Sequence, residues 1–467
     1  MVFSSSTFLF LFLPIFLILY YAVPFKVKNI VLCIFSLIFY AWGEPVYIVL
    51  MVFSSIVDFC NGLCMEKFRN HKGIFLVISI IVNLSMLGFF KYSNLLVTTF
   101  DQITGLNVKA PGVALPIGIS FYTFQTMSYS IDVYRGKVKT EHHFLDFMAY
   151  VSMFPQLIAG PIVRYSLVNE ELHNRVIDFD SYTKGMMRFL TGLFKKVIVA
   201  NSVGAVFNQI SASDIGTQSG LTLWIGILAF SLQIYFDFSG YSDMAIGIGR
   251  MIGFTFPENF NYPYIALSVS DFWRRWHMSL TTWFRDYVYF PLGGSHKGLK
   301  RNILNICIVW ALTGIWHGAA WNFMLWGLYF ALILMLEKFV LNKVLEKIPK
   351  VIRHIYVWII AMIGWCIFSF EKLTEIGSYV GGMFNFGHFV DDKSLFMFSQ
   401  YKVILIGAIV LSTPIAPFVK KKVEATNNKT VVNVFEGIVA VGYVLLLILS
   451  IAMIISDTYN PFLYFRF

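Results

Sequence analysis

Apolar runs of about 17 to 25 residues, each long enough to cross roughly 30 Å of bilayer hydrocarbon as a helix, recur along nearly all of this 467-residue chain. A chain built this way has one solvent that suits it, a lipid bilayer. With 57% hydrophobic, 18% aromatic and 13% charged residues, it is too apolar for a soluble globule and too aromatic for disorder. Backbone groups in hydrocarbon find no water partners, so the expected fold is an all-α integral membrane bundle. No stretch is left over for a large soluble domain, and residues 1–467 are expected to form a single domain.

Spans are expected near 8–25, 30–42, 46–63, 74–98, 113–133, 186–208, 221–249, 302–317, 318–336, 355–370, 402–419 and 434–456. The second and third are short and broken at Gly43-Glu44-Pro45, so they read as one kinked pair. Likewise 302–317 and 318–336 read as two halves meeting at His317. The first 25 residues lack a positively charged start and a small-residue cleavage site, so the first span is expected to be retained.

Basic loops resist export. The clusters Lys26/Lys28, Lys67/Arg69/Lys72, Arg135/Lys137/Lys139, Lys184/Arg188, Lys297/Lys300/Arg301, Lys338 to Arg353 and Lys420/Lys421/Lys422 are therefore placed in the cytoplasm. Loops 101–112, 208–220 and 371–401, poorer in Lys and Arg, are placed outside. This alternation requires that 144–163, with Phe154-Pro155 and Gly160-Pro161, does not cross. Segment 255–300 is too polar and Pro-interrupted to span, yet too aromatic for a free loop. Both are expected to be re-entrant, which broken backbone tolerates only inside protein or against a water-filled cavity.

The formal charge of +10 is spread in short clusters between apolar runs, a pattern of membrane topology and not of nucleic-acid binding. Cys33, Cys60, Cys64, Cys307 and Cys366 lie in or beside apolar runs without histidine neighbours, so they are read as inert thiols, and no metal site is expected. No Gly-x-Ser-x-Gly elbow, Gly-x4-Gly-Lys-Ser/Thr loop or His-Glu-x-x-His occurs. Serine hydrolase, nucleotide-hydrolysing pump and zinc peptidase chemistry lose their usual support.

Two polar islands remain. Trp316-His317-Gly318 sets an imidazole inside the apolar stretch from Ile303 to Leu336, where an ionisable group is costly and by default functional. The alternative is a histidine hydrogen-bonded between helices as packing glue. An imidazole, with a reference pKa of about 6.5, exchanges a proton near neutral pH, which suits a general base.

The second island, Asp271-Phe272-Trp273-Arg274-Arg275-Trp276-His277, places another imidazole 40 positions upstream. It reads either as an interfacial Trp/Arg belt or as a site for a phosphate-bearing donor, since the arginine fork suits oxyanions. Gln233 and Asp237 share a helix face, and Asp237 is either catalytic or a structural ion pair, with Arg274, Arg275 or Arg285 the nearest cations in sequence.

At these residues the chain resembles the membrane-bound O-acyltransferase (MBOAT) family, in its alginate and polysaccharide O-acetyltransferase branch. The matching stretches are FYAWGEP (Phe39 to Pro45), FPQLIAGPIVR (Phe154 to Arg164), YFDFSGYSDMAIGIG (Tyr235 to Gly249), PENFNYPY (Pro257 to Tyr264), FWRRWHMSLT (Phe272 to Thr281), TGIWHGAAW (Thr313 to Trp321) and PFLYFRF (Pro461 to Phe467). The resemblance implies a multi-helix bundle with re-entrant segments around a central tunnel, in the cytoplasmic membrane of a bacterium. It also implies transfer of an acyl group to a hydroxyl.

The family's near-invariant histidine matches His317, and its second active-site position matches His277. Asp237, Tyr241, Asp243, Asn259, Trp273, Arg274, Arg275, Trp276 and Trp316 match motif positions and are expected to line the cavity. The implied donor is acetyl-CoA, with no tightly bound cofactor. The implied acceptor is a cell-surface polysaccharide or peptidoglycan, reached with an extracytoplasmic esterase-like partner. A D-alanyl or other acyl transferase of the same family is the nearest alternative. A transporter of a lipid-linked sugar or anion, with His317 and Asp237 as a proton relay, is the rival from another class.

Overall fold

A computed structural model of the chain describes residues 1–456, 462 and 463, and these form helices and loops with no β-strand among the described residues. The PFLYFRF stretch lies outside the described residues except for Phe462 and Leu463. The N-terminal part comprises α1 (Phe8–Ala22), α2 (Phe25–Ala41), α3 (Ile48–Lys67), α4 (Arg69–Thr104) and α5 (Ile119–Tyr134). Three short helices follow: α6 (Phe144–Ser152), α7 (Phe154–Leu157) and α8 (Tyr165–His173).

Two long helices, α9 (Phe179–Ser211) and α10 (Gly220–Met251), form the central pair. Beyond them lie the short α11 (Val269–Arg275) and α12 (Met278–Phe284), then α13 (Leu299–His317), α14 (Trp321–Leu345) and α15 (Lys350–Ser369). The C-terminal part is α16 (Leu373–Met383), α17 (Asp392–Leu411), α18 (Ile415–Glu424) and α19 (Lys429–Ser456).

Eight helices among the described residues are long and apolar enough to cross a membrane: α3, α4, α9, α10, α14, α15, α17 and α19. The other expected spans, 8–25, 30–42, 113–133 and 302–317, are helical too, but α1, α2 and α5 are shorter and α13 is less apolar. The expected span at 402–419 begins ten residues earlier, because an Asp391/Ser394 capping box starts α17 at Asp392. Near its other end the chain turns at Ser412 and Thr413, and Ile415 opens the separate helix α18.

The central pair packs through glycine. A Cβ on Gly192 would lie 2.4 Å from the Gly240 carbonyl oxygen, and one on Gly247 would lie 2.6 Å from that of Gly185. These glycines recur every seven residues on each helix, so one seam brings both backbones into contact. In a membrane, where apolar surface gains little from meeting apolar surface, such close approach is what holds helices together. α10 is buried nearly all round, as a bundle's axial helix must be.

α13 and α14 are not two halves of one interrupted span. Gly314 approaches the Phe323 carbonyl and Gly327 approaches that of Trp310, so the two pack antiparallel as a hairpin with His317-Gly318 at its turn. Segment 255–300 folds as the short helices α11 and α12 with partly buried connections, and only its end, 295–300, is fully exposed. Buried Glu337 of α14 accepts from Val269 N (2.6 Å) and Ser270 N (2.9 Å), capping α11. Segment 144–163 forms α6, α7 and a buried loop that meets 255–300 directly, through Ile162 N to Ser279 Oγ at 2.9 Å.

Candidate active site

His317 is the last residue of α13, and its ring is 93% buried (7% exposed). Trp316 and Trp326 flank it with centroids at 5.0 Å each, and Phe368 of α15 stands edge-on at 5.3 Å. The helix end that carries it is held by a residue the sequence reading passed over. Lys91, in the middle of apolar α4, donates to the carbonyls of Trp316 and His317 (the latter at 3.3 Å) and to Ser120 Oγ (3.3 Å). A cation suits this position, because the last carbonyls of a helix are orphaned acceptors at the negative end of its dipole. The available signal was the same as for His317, an ionisable group in an apolar run.

His277 sits between α11 and α12 with φ +46°, a left-handed conformation that a non-glycine residue adopts only when its surroundings impose it. What imposes it is pairing between the stretches 257–264 and 272–281. Asn261 N donates to Arg275 O, and Met278 N donates to Asn259 O, both at 2.9 Å. Asn259, fully buried, completes the lock with its side chain. Its Nδ2 donates to Ser242 Oγ at 3.0 Å, while its Oδ1 accepts from Ser279 N (3.3 Å) and Ser279 Oγ (2.9 Å) and lies 3.0 Å from His277 Nδ1.

A backbone N–H can only donate, so the Asn259 atom facing Ser279 is the oxygen. The neutral His277 ring therefore carries its hydrogen on Nδ1 and a lone pair on Nε2. That Nε2 is buried with no hydrogen-bond partner. Phe238 of α10 packs edge-on to the ring at 4.7 Å, and Trp316 lies 6.0 Å away, so one indole borders both imidazoles. Ser239 and Tyr241, just beyond Phe238, also hold buried hydroxyls without partners. A buried polar atom without a partner, such as His277 Nε2, is where a ligand or water would be expected to bond.

Several expected lining residues have other duties. Asp237 is paired with Lys196 at 2.5 Å and accepts from Leu463 N at 2.7 Å, so its cation is not Arg274, Arg275 or Arg285. A π-helical turn at Lys195–Ala200 in α9 aims two consecutive lysines at α10. Lys196 reaches Asp237, and Lys195 reaches Asp243 at 2.7 Å. Asp243 also binds Arg188 at 2.6 Å and stands in this ionic seam, not beside the imidazoles.

Tyr241 stacks on Phe3 at 4.4 Å. Trp273 and Trp276 belong to the aromatic layer behind His317, with Trp273 5.5 Å from Trp326 and Trp276 4.7 Å from Trp365. Arg274 is exposed and bonds back to Ser270 O, and Arg275 is tied to Asp271 at 3.1 Å. Neither arginine contacts the histidines. Consecutive residues on the short α11 project about 100° apart, so Trp273 turns to the buried face and Arg274 to the outer one.

Among the described residues one cavity of about 150 Å³ approaches the site, and Phe368, which packs on His317, forms part of its wall. This cavity therefore lies within one aromatic ring of the imidazole. No group of three or more His, Cys, Asp or Glu able to hold a metal ion occurs among the described residues.

Comparison with known proteins shows the family. The model of the MBOAT, membrane-bound O-acyltransferase family, matches residues 134–378, which include both histidines and Asn259. The probable alginate O-acetylase of Azotobacter vinelandii is 36% identical over 501 aligned positions covering all of both chains. The peptidoglycan O-acetyltransferase of Helicobacter pylori is 30% identical over all of this chain and 98% of its own. The teichoic acid D-alanyltransferase of Bacillus subtilis is also 30% identical, but over 48% of this chain and 59% of its own. With a buried histidine pair, an all-helical membrane architecture and these matches, the chain belongs to the membrane-bound O-acyltransferase family and is an acyltransferase.

Proposed function

We propose that this protein transfers an acetyl group from cytoplasmic acetyl-CoA to a hydroxyl of a cell-surface polysaccharide or peptidoglycan, with an extracytoplasmic esterase-like protein as its partner, in the cytoplasmic membrane of a bacterium. The observation that carries the reading is the pair of buried imidazoles bordering Trp316, one of them presenting an unpartnered Nε2. Full-length similarity to alginate and peptidoglycan O-acetylating relatives, against half-length similarity to the D-alanyl transferases, favours acetyl as the group moved.

In this reading His317 removes the proton of the acceptor hydroxyl as its oxygen attacks the thioester carbonyl. The tetrahedral intermediate collapses with loss of the CoA thiolate, which takes the proton back from the imidazolium. Neutral His277 has no hydrogen on Nε2, so it does not donate to the oxyanion. It accepts a hydrogen bond from a neighbouring hydroxyl of the acceptor, or from a water, and so orients the attack. Trp273 and Trp276 back the site as its aromatic layer, while Asp237 and Asp243 hold α9 and α10 in register.

General-base catalysis contributes roughly 10² to 10⁴ in rate. Glycan O-acetylation in cells carrying His317→Ala at matched protein level should therefore fall by at least about 10²-fold. Unchanged acetylation would sink the assignment. Transfer of radiolabelled acetyl by purified protein separates this reading from a transporter, which would move a solute without consuming the thioester.

A further inference from the structure

The cavity next to Phe368 carries two buried amide oxygens without a hydrogen-bond partner among the described residues. Asn322, 1% exposed and five residues after His317, donates through Nδ2 to the carbonyls of Ile367 (3.3 Å) and Phe368 (3.2 Å) at the end of α15. Carbonyls only accept, so this bond fixes the amide orientation and turns Oδ1 away from them, where it has no partner. Gln233 of α10 lines the same cavity, and its Oε1 is likewise buried and unpartnered.

Glu371 and Asn208 of α9 also line it. Leu463, held by Asp237, closes a further side. An unmade hydrogen bond on a buried polar atom is costly, and such atoms are where a ligand repays the cost.

We propose that this cavity is the subsite for the hydroxyl-bearing face of an acceptor sugar ring. The proposal rests on the acyltransfer reading above and names the side from which the acceptor arrives. Three features select this chemistry. The free atoms are oxygens that need donors, and hydroxyls are donors. Phenyl rings of Phe207, Phe230 and Phe368 offer flat apolar walls for the C–H face of a ring. About 150 Å³ is well under the roughly 300 Å³ of even a small ligand site, so the cavity takes part of a polymer and not a free metabolite.

Its position fits as well. Asn208 and Glu371 border the Lys/Arg-poor loops 208–220 and 371–401, which charge places outside the cell. Phe368 belongs at once to the cavity wall and to the shell of His317, so the cavity and the imidazole share one side chain.

The test is the partition of labelled acetyl between water and acceptor, measured with purified full-length protein and radiolabelled acetyl-CoA. Two probes are used in separate arms: a neutral N-acetylglucosamine oligosaccharide and an alginate oligosaccharide. Because both products draw on the same folded enzyme, their ratio does not depend on how much of a variant folds. Gln233→Met and Asn322→Leu should each shift the ratio about tenfold toward hydrolysis, the weight of one hydrogen bond to a hydroxyl, in whichever arm the native protein prefers.

The preferred arm names the source of the ring. An unchanged ratio in both variants overturns the subsite. So does a native protein that consumes acetyl-CoA yet transfers to neither sugar. A native protein that neither hydrolyses nor transfers acetyl refutes the acetyl-CoA reading itself, a separate failure.

Discussion

His277 Nδ1 and Asn259 Oδ1 stand 3.0 Å apart, and the Ser279 N–H on the same oxygen fixes the direction of that bond. One uncharged side chain therefore decides which nitrogen of the second histidine faces the site. Asn259→Leu should lower acetyl transfer about 10²-fold, since a ring in the wrong tautomer presents a hydrogen where a lone pair is needed. Asn259→Asp keeps an acceptor oxygen toward Nδ1 and should retain distinctly more activity than Asn259→Leu. Initial rates of labelled acetyl transfer at equal protein check the order, and equal rates for the two variants would contradict it.

If His317 and His277 serve one step, their losses do not multiply. His317→Ala should cost roughly 10² to 10⁴ in rate, His277→Ala less, and the double variant little more than His317→Ala alone. The three rates, measured with saturating donor, give the answer. A double variant slower by the full product would mean independent roles.

Lys91 should prove as important as its burial suggests. Lys91→Met leaves the carbonyls of Trp316 and His317 without that donor, at a cost of about 1 to 3 kcal/mol in stability. It also frees the helix end that aims the imidazole. Thermal unfolding in detergent should move down modestly, while transfer by the fraction still folded falls well beyond what the lost stability accounts for. A variant with native activity per folded molecule would reduce Lys91 to a packing residue.

The glycine seam makes a contrast inside one molecule. A side chain at Gly192 meets backbone at 2.4 Å, whereas at Gly407 of α17 nothing lies within 4 Å. Gly192→Leu should separate α9 from α10 and cost more than the roughly 1 to 3 kcal/mol typical of overpacking, because backbone cannot give way as a side chain can. Gly407→Leu should be tolerated. Yield and melting temperature in detergent compare the two.

The ionic seam behaves as a buried pair. Asp237→Asn leaves the Lys196 ammonium without this carboxylate in a nearly waterless interior and weakens the hold on Leu463. Removing one partner of such a pair typically costs about 3 to 5 kcal/mol, so expression at 37 °C should drop sharply. Asp237→Leu combined with Lys196→Met should recover part of the loss, and a double variant no better than Asp237→Asn would count against the pairing.

Much of this was legible in the order of the residues. Hydropathy over windows the length of a bilayer is a local property, so the solvent, the helical class and most of the span positions could be read directly. An ionisable group inside such a window is equally local, and it singled out His317 and, through the polar island, His277. The same rule covered Lys91, in the middle of α4, but the sequence reading did not apply it there.

Partners were not legible, because a contact between distant residues leaves no trace in periodicity. Sequence proximity put arginines beside Asp237, whereas the structure uses Lys196, which a π-helical turn aims at α10. Asn259 lies in a loop with no pattern of its own. It acquires a role only when the loop 257–264 bonds to the break between α11 and α12. The hairpin of α13 and α14 was hidden for a similar reason, since an apolar run interrupted by Gly318 reads alike whether the chain continues or turns back.

By itself, then, the sequence determined the medium in which this chain folds, the helices it must use and the two imidazoles it keeps at a cost. Only the tertiary structure decided which atom of His277 is offered, what holds His317 in place and which cavity borders its aromatic shell. Burial is enforced residue by residue along the chain, whereas hydrogen-bond direction depends on groups that meet solely through the fold.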